Sequence, residues 1–385
     1  MAELVQFFMI QIPGMSRLTL ISFFILINIS LTVCSMLFGL AVFGQISYFF
    51  TMLSLFLFSF TFKLTKLETY FLIKIIIFFI LPILVHYFFY LDATWFKLLH
   101  YIISIFVGLF IARYFIFLPF RIVFIIISLI ELGYIIFISI AGDPENFNRT
   151  YLTVPLCAIF GCICIQNYLN KKSLDILCLA LLTLVSILSY SRSVSLLCFF
   201  VFIIYFISIL FRRKTNLISI FGLLIASSAF IVIGSSIIES IMNLSFTNRI
   251  ITRGLDSGRF LLWAYYFSVL DFIKFFIGID SDQVNNIIQT ALSFDKGGTL
   301  HNSFLQLHSH GGIVPVIWVF SMVFIAFRSL ISAKGGFLIA CGFAIFIGKA
   351  TFDSTILPQR FDYLLFAIFF ALNNMKFHIR DNKNA

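Results

Sequence analysis

Apolar residues run in blocks along this chain, at about 18–43, 44–62, 70–91, 98–118, 120–141, 151–170, 174–190, 193–211, 216–238, 311–331, 335–352 and 361–375. A helix needs about 20 apolar residues to cross the hydrocarbon of a bilayer. The blocks therefore predict roughly twelve membrane-spanning helices, the last two the shortest and most interrupted. The rhythm breaks once, over residues 239–310. Within that break, residues 259–276 are apolar with Trp263, Tyr265 and Tyr266 near one end and Asp271 and Lys274 late. That pattern predicts a helix lying in the membrane interface and stopping at Gly278. Next, Val284, Ile287, Ile288, Ala291 and Leu292 follow helical spacing, with Asp280, Ser281 or Asp282 available as the N-cap. The expected fold is all-α and polytopic: helices one to nine in residues 1–238, a long loop in 239–310, and helices ten to twelve with a tail in 311–385.

Composition supports that class: 61% of the 385 residues are hydrophobic and 11% are charged. Mean hydropathy is +1.09, far above what a soluble core requires. All seven cysteines sit inside apolar blocks, which suits small core hydrophobes and neither a metal site nor a disulfide framework. The first apolar block is full length and lacks a small-residue cleavage site, so no cleaved leader is expected.

The net charge of +10 is mostly an orientation signal. With a cytoplasmic N-terminus, Arg17, Lys63, Lys66, Arg113, Arg121, Lys171, Lys172, Arg212, Arg213, Lys214, Arg328, Lys334, Lys376, Arg380 and Lys383 all fall inside. Only Lys97, Arg149, Arg192, Lys349 and Arg360 stay in short outer loops. Both termini are thus expected in the cytoplasm and the long loop outside. The charges form no basic face, which argues against nucleic acid as a partner. Membrane lipids are the expected surroundings.

Candidate chemistry concentrates between Asn248 and Gly312. Arg249, Arg253 and Arg259 surround Gly254, Asp256, Ser257 and Gly258; this reads either as a solvated turn with an Asp–Arg pair or as an anion site of guanidinium forks. Asp280 and Asp282 form a D-x-D pattern, which capping explains at least as well as a metal. His301, Asn302, His308 and His310 hold half of the six histidines within ten residues, which points to proton transfer. On a continuous helix His301 and His308 would share a face two turns apart. Arg192 works against the charge rule in a tight outer connection; it either snorkels to headgroups or faces inward to a site. Glu131, deep in an apolar block, either pairs with Arg113 or Arg121 or belongs to a proton or ion path. His86 and His100 stand near helix ends, and residues 141–150, with Asp143, Glu145 and Arg149, read as a turn at the rim.

These motifs resemble the O-antigen polymerase and O-antigen ligase superfamily. The likeness lies in S-x-S-R (Ser189, Ser191, Arg192), then S-G-R with a tryptophan four residues on (Ser257, Gly258, Arg259, Trp263). It continues in F-x-G-I (Phe276, Gly278, Ile279) and in H-N-S-F-L ahead of a glycine (His301, Asn302, Ser303, Phe304, Leu305, Gly311). It covers residues 185–320; the N-terminal half is similar only in being helical. The resemblance implies an all-helical, GT-C-like glycosyltransferase of the bacterial inner membrane, acting at the periplasmic face without a metal or other cofactor. A polymerase would move the growing glycan from undecaprenyl diphosphate onto the next undecaprenyl-diphosphate-linked repeat. A ligase would move the finished glycan to lipid A core. A flippase is the competing class, but no internal repeat is found and the polar residues gather in one loop. On the polymerase reading Arg192 and Arg259 neutralise the diphosphate and His301 serves the acceptor hydroxyl. Arg253, Arg249, Asn302, His308 and Asp256 would bind substrate. A flippase and a chain-length regulator are the implied protein partners.

Overall fold

The computed structural model describes Ile27 and residues 64–91, 95–141, 152–189, 191–212, 259–292, 300–333, 336–353, 357 and 361–381. The predicted spans at 18–43, 44–62 and 216–238 lie outside the described residues. So do Arg249, Arg253, Asp256 and the 142–150 turn.

Every regular element among the described residues is helical. In chain order come α1 (Lys66–Tyr90), α2 (Trp95–Tyr114), α3 (Phe120–Ala141), α4 (Thr153–Leu169), α5 (Ile176–Leu188) and α6 (Arg192–Arg212). After them come α7 (Arg259–Ser268), α8 (Phe272–Ile277), α9 (Ser281–Leu292), α10 (Ser303–Gly311), α11 (Ile313–Ser332), α12 (Gly336–Phe352) and α13 (Asp362–Asp381). The helices matching predicted spans begin and end within a few residues of the expected positions, except that α13 continues to Asp381. Among the described residues, four helical stretches are long and apolar enough to cross a membrane: Lys66–Tyr90, Lys97–Phe117, Phe120–Ile140 and Ile313–Ser332.

Local chemistry sets the helix ends. Thr65 and Glu68 form a capping box at the start of α1. Within α1 a π-helical turn at Ile76–Ile80 precedes Pro82, whose missing N–H forces the hydrogen-bond ladder to shift. Asp175 accepts the Cys178 N–H to start α5. The Gln166 amide donates to the carbonyls of Phe115, Ile116 and Leu118, satisfying the end of α2 and the turn into α3.

Two helices form the centre. Val154–Ile165 of α4 and Phe361–Leu372 of α13 are buried on every side. α2, α1 and α11 pack on α13, while α12, α3 and α5 pack on α4. Short connections alternate the helix directions, so Tyr90, Leu152, Ser191, the α7–α10 region, Asp353 and Asp362 share one end of the bundle. The opposite end carries two ion pairs. Arg113 grips Glu68 bidentately at 2.8 and 2.6 Å, and Arg121 meets Asp175 at 2.9 Å.

These pairs correct one expectation. Neither Arg113 nor Arg121 pairs with Glu131, whose two carboxyl oxygens are buried without a hydrogen-bond partner among the described residues.

A buried charge cluster at one end of the bundle

The segment between α6 and α11 builds its own small core over that end. Leu262 and Tyr266 of α7 pack with Ile279, with Val284, Ile287 and Ile288 of α9, and with Leu300. The apolar spacing expected of α9 is the face it buries. Asp280 supplies the cap: its backbone carbonyl accepts from Val284 N–H and its side chain from Asp282 N–H at 3.2 Å.

The single interfacial helix expected over 259–276 is two helices. Asp271 breaks it by accepting the Lys274 N–H at 2.8 Å and capping α8. The ends of α8 and α10 then lie back to back, with Ile279 N–H donating to Ser309 O at 3.0 Å. Gly312, at φ +68°, leaves no room for a side chain: a Cβ there would stand 1.9 Å from Phe276 O.

His301 sits just before α10, clamped from both sides. Trp263 donates its indole N–H to Leu300 O at 3.1 Å. On the other side Asn302 accepts the N–H groups of Phe304 and Leu305 at 2.9 and 3.1 Å, capping α10. His301 itself takes a left-handed conformation at φ 49°, an uncommon one for a residue other than glycine and one that a site can hold under strain. The cap separates it from the helix, so His301 and His308 do not share a helical face as the spacing alone suggested.

This conformation brings His301 Nδ1 to 3.6 Å from Asp353 Oδ1, an electrostatic contact longer than a hydrogen bond. Asp353 follows α12 and is 4% exposed. Its Oδ2 accepts from Lys349 Nζ at 2.9 Å, and its backbone carbonyl accepts from Ser303 Oγ at 3.0 Å. Burial alone would raise the Asp353 pKa. The Lys349 charge, the His301 contact and the Arg259 field outweigh it and hold the carboxyl well below the usual carboxylate range. Arg259, the first residue of α7, is half-buried. Two residues expected in catalysis, Arg259 and His301, thus act on one carboxylate.

Arg192 opens α6. A Cβ at Gly348 of α12 would lie 2.6 Å from Leu197 Cδ1, so Leu197 and Gly348 face each other. Five residues further along each antiparallel helix, the backbone of Arg192 reaches the level of Asp353. Beside it, Thr153 Oγ1 donates to Ser191 Oγ at 3.1 Å and Ser195 Oγ donates to Ser186 Oγ at 3.0 Å.

The other histidines of this end have separate environments. His308 is 5% exposed; its Nε2–H donates to Phe275 O at 3.1 Å, so Nδ1 accepts from the Tyr266 hydroxyl at 2.7 Å. Burial pushes its pKa down to about 4 against the opposing Phe275 hydrogen bond. Nε2 of His310 accepts from the Lys97 ammonium at 2.9 Å; burial, with the Lys97 and His86 charges, holds His310 neutral far below its ordinary pKa. His86 Nδ1 donates to Ile277 O at 3.0 Å, and Nε2 of His100 lies 3.1 Å from Asp362 Oδ2.

Sequence reading missed Asp353 and treated Lys349 only as one outer cation. The signal was present: lysine and aspartate four apart at the end of an apolar helix, one turn apart on one face. Chemically, the cluster offers a half-buried guanidinium, an imidazole beside a carboxylate, and an ammonium that keeps the carboxylate ionised. That set can hold an anion and take a proton from a hydroxyl. No family model, curated protein or solved structure matches the chain.

Proposed function

We propose that this protein is a polysaccharide polymerase, such as one building O-antigen or capsule, that works on lipid-linked repeats at the outer face of a bacterial inner membrane. The observation carrying the reading is His301 Nδ1 standing 3.6 Å from Asp353, a buried carboxylate bonded to Lys349, at one end of an apolar bundle. The donor is a glycan on undecaprenyl diphosphate and the acceptor a sugar hydroxyl of the next lipid-linked repeat. The acceptor oxygen bonds to the anomeric carbon, the carbon–oxygen bond to the diphosphate breaks, and undecaprenyl diphosphate leaves as an anion. Arg259, with Arg192, neutralises charge growing on that leaving group. His301 takes the hydroxyl proton, and Asp353 stabilises the imidazolium that results. Guanidinium groups carry permanent charge, so they can do the work of a divalent cation at the diphosphate.

The experiment is deletion of the gene in its host, with surface polysaccharide separated on a gel. A polymerase deletion leaves a single repeat on lipid A core, because ligation continues without extension. Loss of all attached sugar, with long polymer accumulating on the lipid carrier, would instead mean ligase and overturn the proposal.

A further inference from the structure

α11 packs on the π-helical turn of α1 at Ile76–Ile80 but makes little contact with the first part of that helix, Lys66–Ile75. The gap between them is a cavity of about 120 Å³, floored by Phe369, Leu372 and Asn373 of α13. Aromatic rings close it: Phe71 meets Phe370 edge-on at 5.0 Å, and Trp318 lies 5.6 Å from Phe79 on the side nearer the His301 cluster. Tyr70 and Ile77, a turn to either side of Lys74, are exposed, as is Phe324 beside Ile325. The groove therefore opens on the apolar, lipid-facing surface of the bundle.

Lys74 and Asn373 are the two strongly polar residues that line it. Asn373 Nδ2 is buried with no hydrogen-bond partner among the described residues, and such a donor costs its desolvation until an acceptor reaches it. Lys74 lies about 12 Å along α1 from Lys66, within a stretch apolar enough to cross a membrane. Glu68, the acidic residue of the same helix, is engaged with Arg113, and no carboxylate pairs with Lys74 among the described residues. Its ammonium stands 4.4 Å from the Tyr70 ring centroid, turned towards the Arg113–Glu68 end as a snorkelling lysine turns towards headgroups. Leucine at both positions would face lipid without either cost, so an unpaired cation and an unmet donor in one apolar groove mark a binding site.

We propose that this groove binds an anionic phospholipid, with its phosphate on Lys74, a glycerol ester carbonyl on the Asn373 amide, and its first acyl methylenes against Phe71, Trp318 and Met322. The size agrees: an apolar cavity of about 150 Å³ takes a benzene-sized group, so this one takes a short run of methylenes and excludes a sugar. Free phosphate would satisfy the polar groups but leave the aromatic wall bare. The site stands far from the His301 cluster and is independent of the transferase reading.

The test is the fluorescence of Trp318 in the full chain, reconstituted in phosphatidylcholine bilayers. Brominated acyl chains, which quench tryptophan on contact, are supplied on either phosphatidylglycerol or phosphatidylcholine. Trp95→Phe and Trp263→Phe leave Trp318 as the sole tryptophan. One lysine beside an anionic headgroup gives about a fivefold preference, so half-quenching is expected at about a fivefold lower fraction of the phosphatidylglycerol. Lys74→Gln should bring the two curves together while leaving the phosphatidylcholine curve unmoved. Lys74→Arg should keep the preference, and Asn373→Leu should weaken it. Superimposed curves in the parent protein, or a preference untouched by Lys74→Gln, would overturn the proposal. So would relief of quenching by excess inorganic phosphate, which would mean an ion site, and absence of quenching by either lipid, which would mean a covered groove.

Discussion

The Lys349–Asp353 pair gives the sharpest test of how the site is held. Their side chains are 2% and 6% exposed and bonded at 2.9 Å. Lys349→Met leaves the Asp353 carboxylate in the interior without its buried ammonium. Asp353→Leu leaves an ammonium there. Removing one partner of a buried ion pair costs about 3–5 kcal/mol, because the survivor stays desolvated. Replacing both with apolar residues of similar size is often neutral, or stabilising by about 1–4 kcal/mol. The double variant Lys349→Met/Asp353→Leu is therefore expected to melt near wild type while each single variant melts well below it. The assay is thermal unfolding of the four purified proteins in one detergent. A double variant less stable than both singles would refute the reasoning, since losses would then add as they do at independent sites. The recovered double variant should still fail to extend polysaccharide, having lost the carboxylate that backs His301.

Arg259→Ala and His301→Ala should abolish long-chain polysaccharide while the protein inserts normally; normal chain length on a gel would remove that residue from the mechanism. Arg192→Lys should impair polymer length if a bidentate fork grips phosphate, whereas full activity would indicate an arginine that only snorkels. Tyr266→Phe strips the donor from His308 Nδ1 and should lower stability by about 1–3 kcal/mol, read as a drop in melting temperature. Because the folded pKa of His308 is depressed from 6.5 to about 4, its stabilisation is complete above pH 6.5 and is lost as pH falls towards 4. That loss is about 3 kcal/mol, and His308→Gln should flatten this part of the melting-temperature profile. Chelator should leave polymer synthesis by purified protein intact; a loss restored by magnesium would return attention to Asp280 and Asp282.

Much of the bundle was legible because membrane burial writes long apolar blocks into a sequence. The helices from α1 to α6 and from α11 to α13 begin close to where the blocks predict. Residue chemistry named His301 as a candidate, and the fold sets it 3.6 Å from Asp353. What stayed hidden depended on distance in space. Asp353 lies 52 residues beyond His301 in a short connection, and only the fold of α12 against the α10 cap joins them. Spacing placed His301 and His308 together because it assumed an unbroken helix, and the Asn302 cap breaks it. Asp271 divided the interfacial segment by the same kind of side-chain capture of a backbone N–H. Glu131 had two plausible partners by sequence, and each found a carboxylate of its own.

The position of α13 bears on how the molecule is made. It occupies the middle of the bundle, yet it follows in the chain the described helices it packs against most, α1, α2, α4 and α11. Translation therefore delivers the helices around α13 before α13 itself. Until residues 361–372 emerge, the face of α2 where Gly108 makes room for Phe366 lacks its partner helix. A nascent chain stopped at Leu357 would hold its spans around an unfilled slot, available to quality-control proteases, and His100 would lack Asp362. Completion of α13 and formation of the His100–Asp362 contact are thus one event in synthesis.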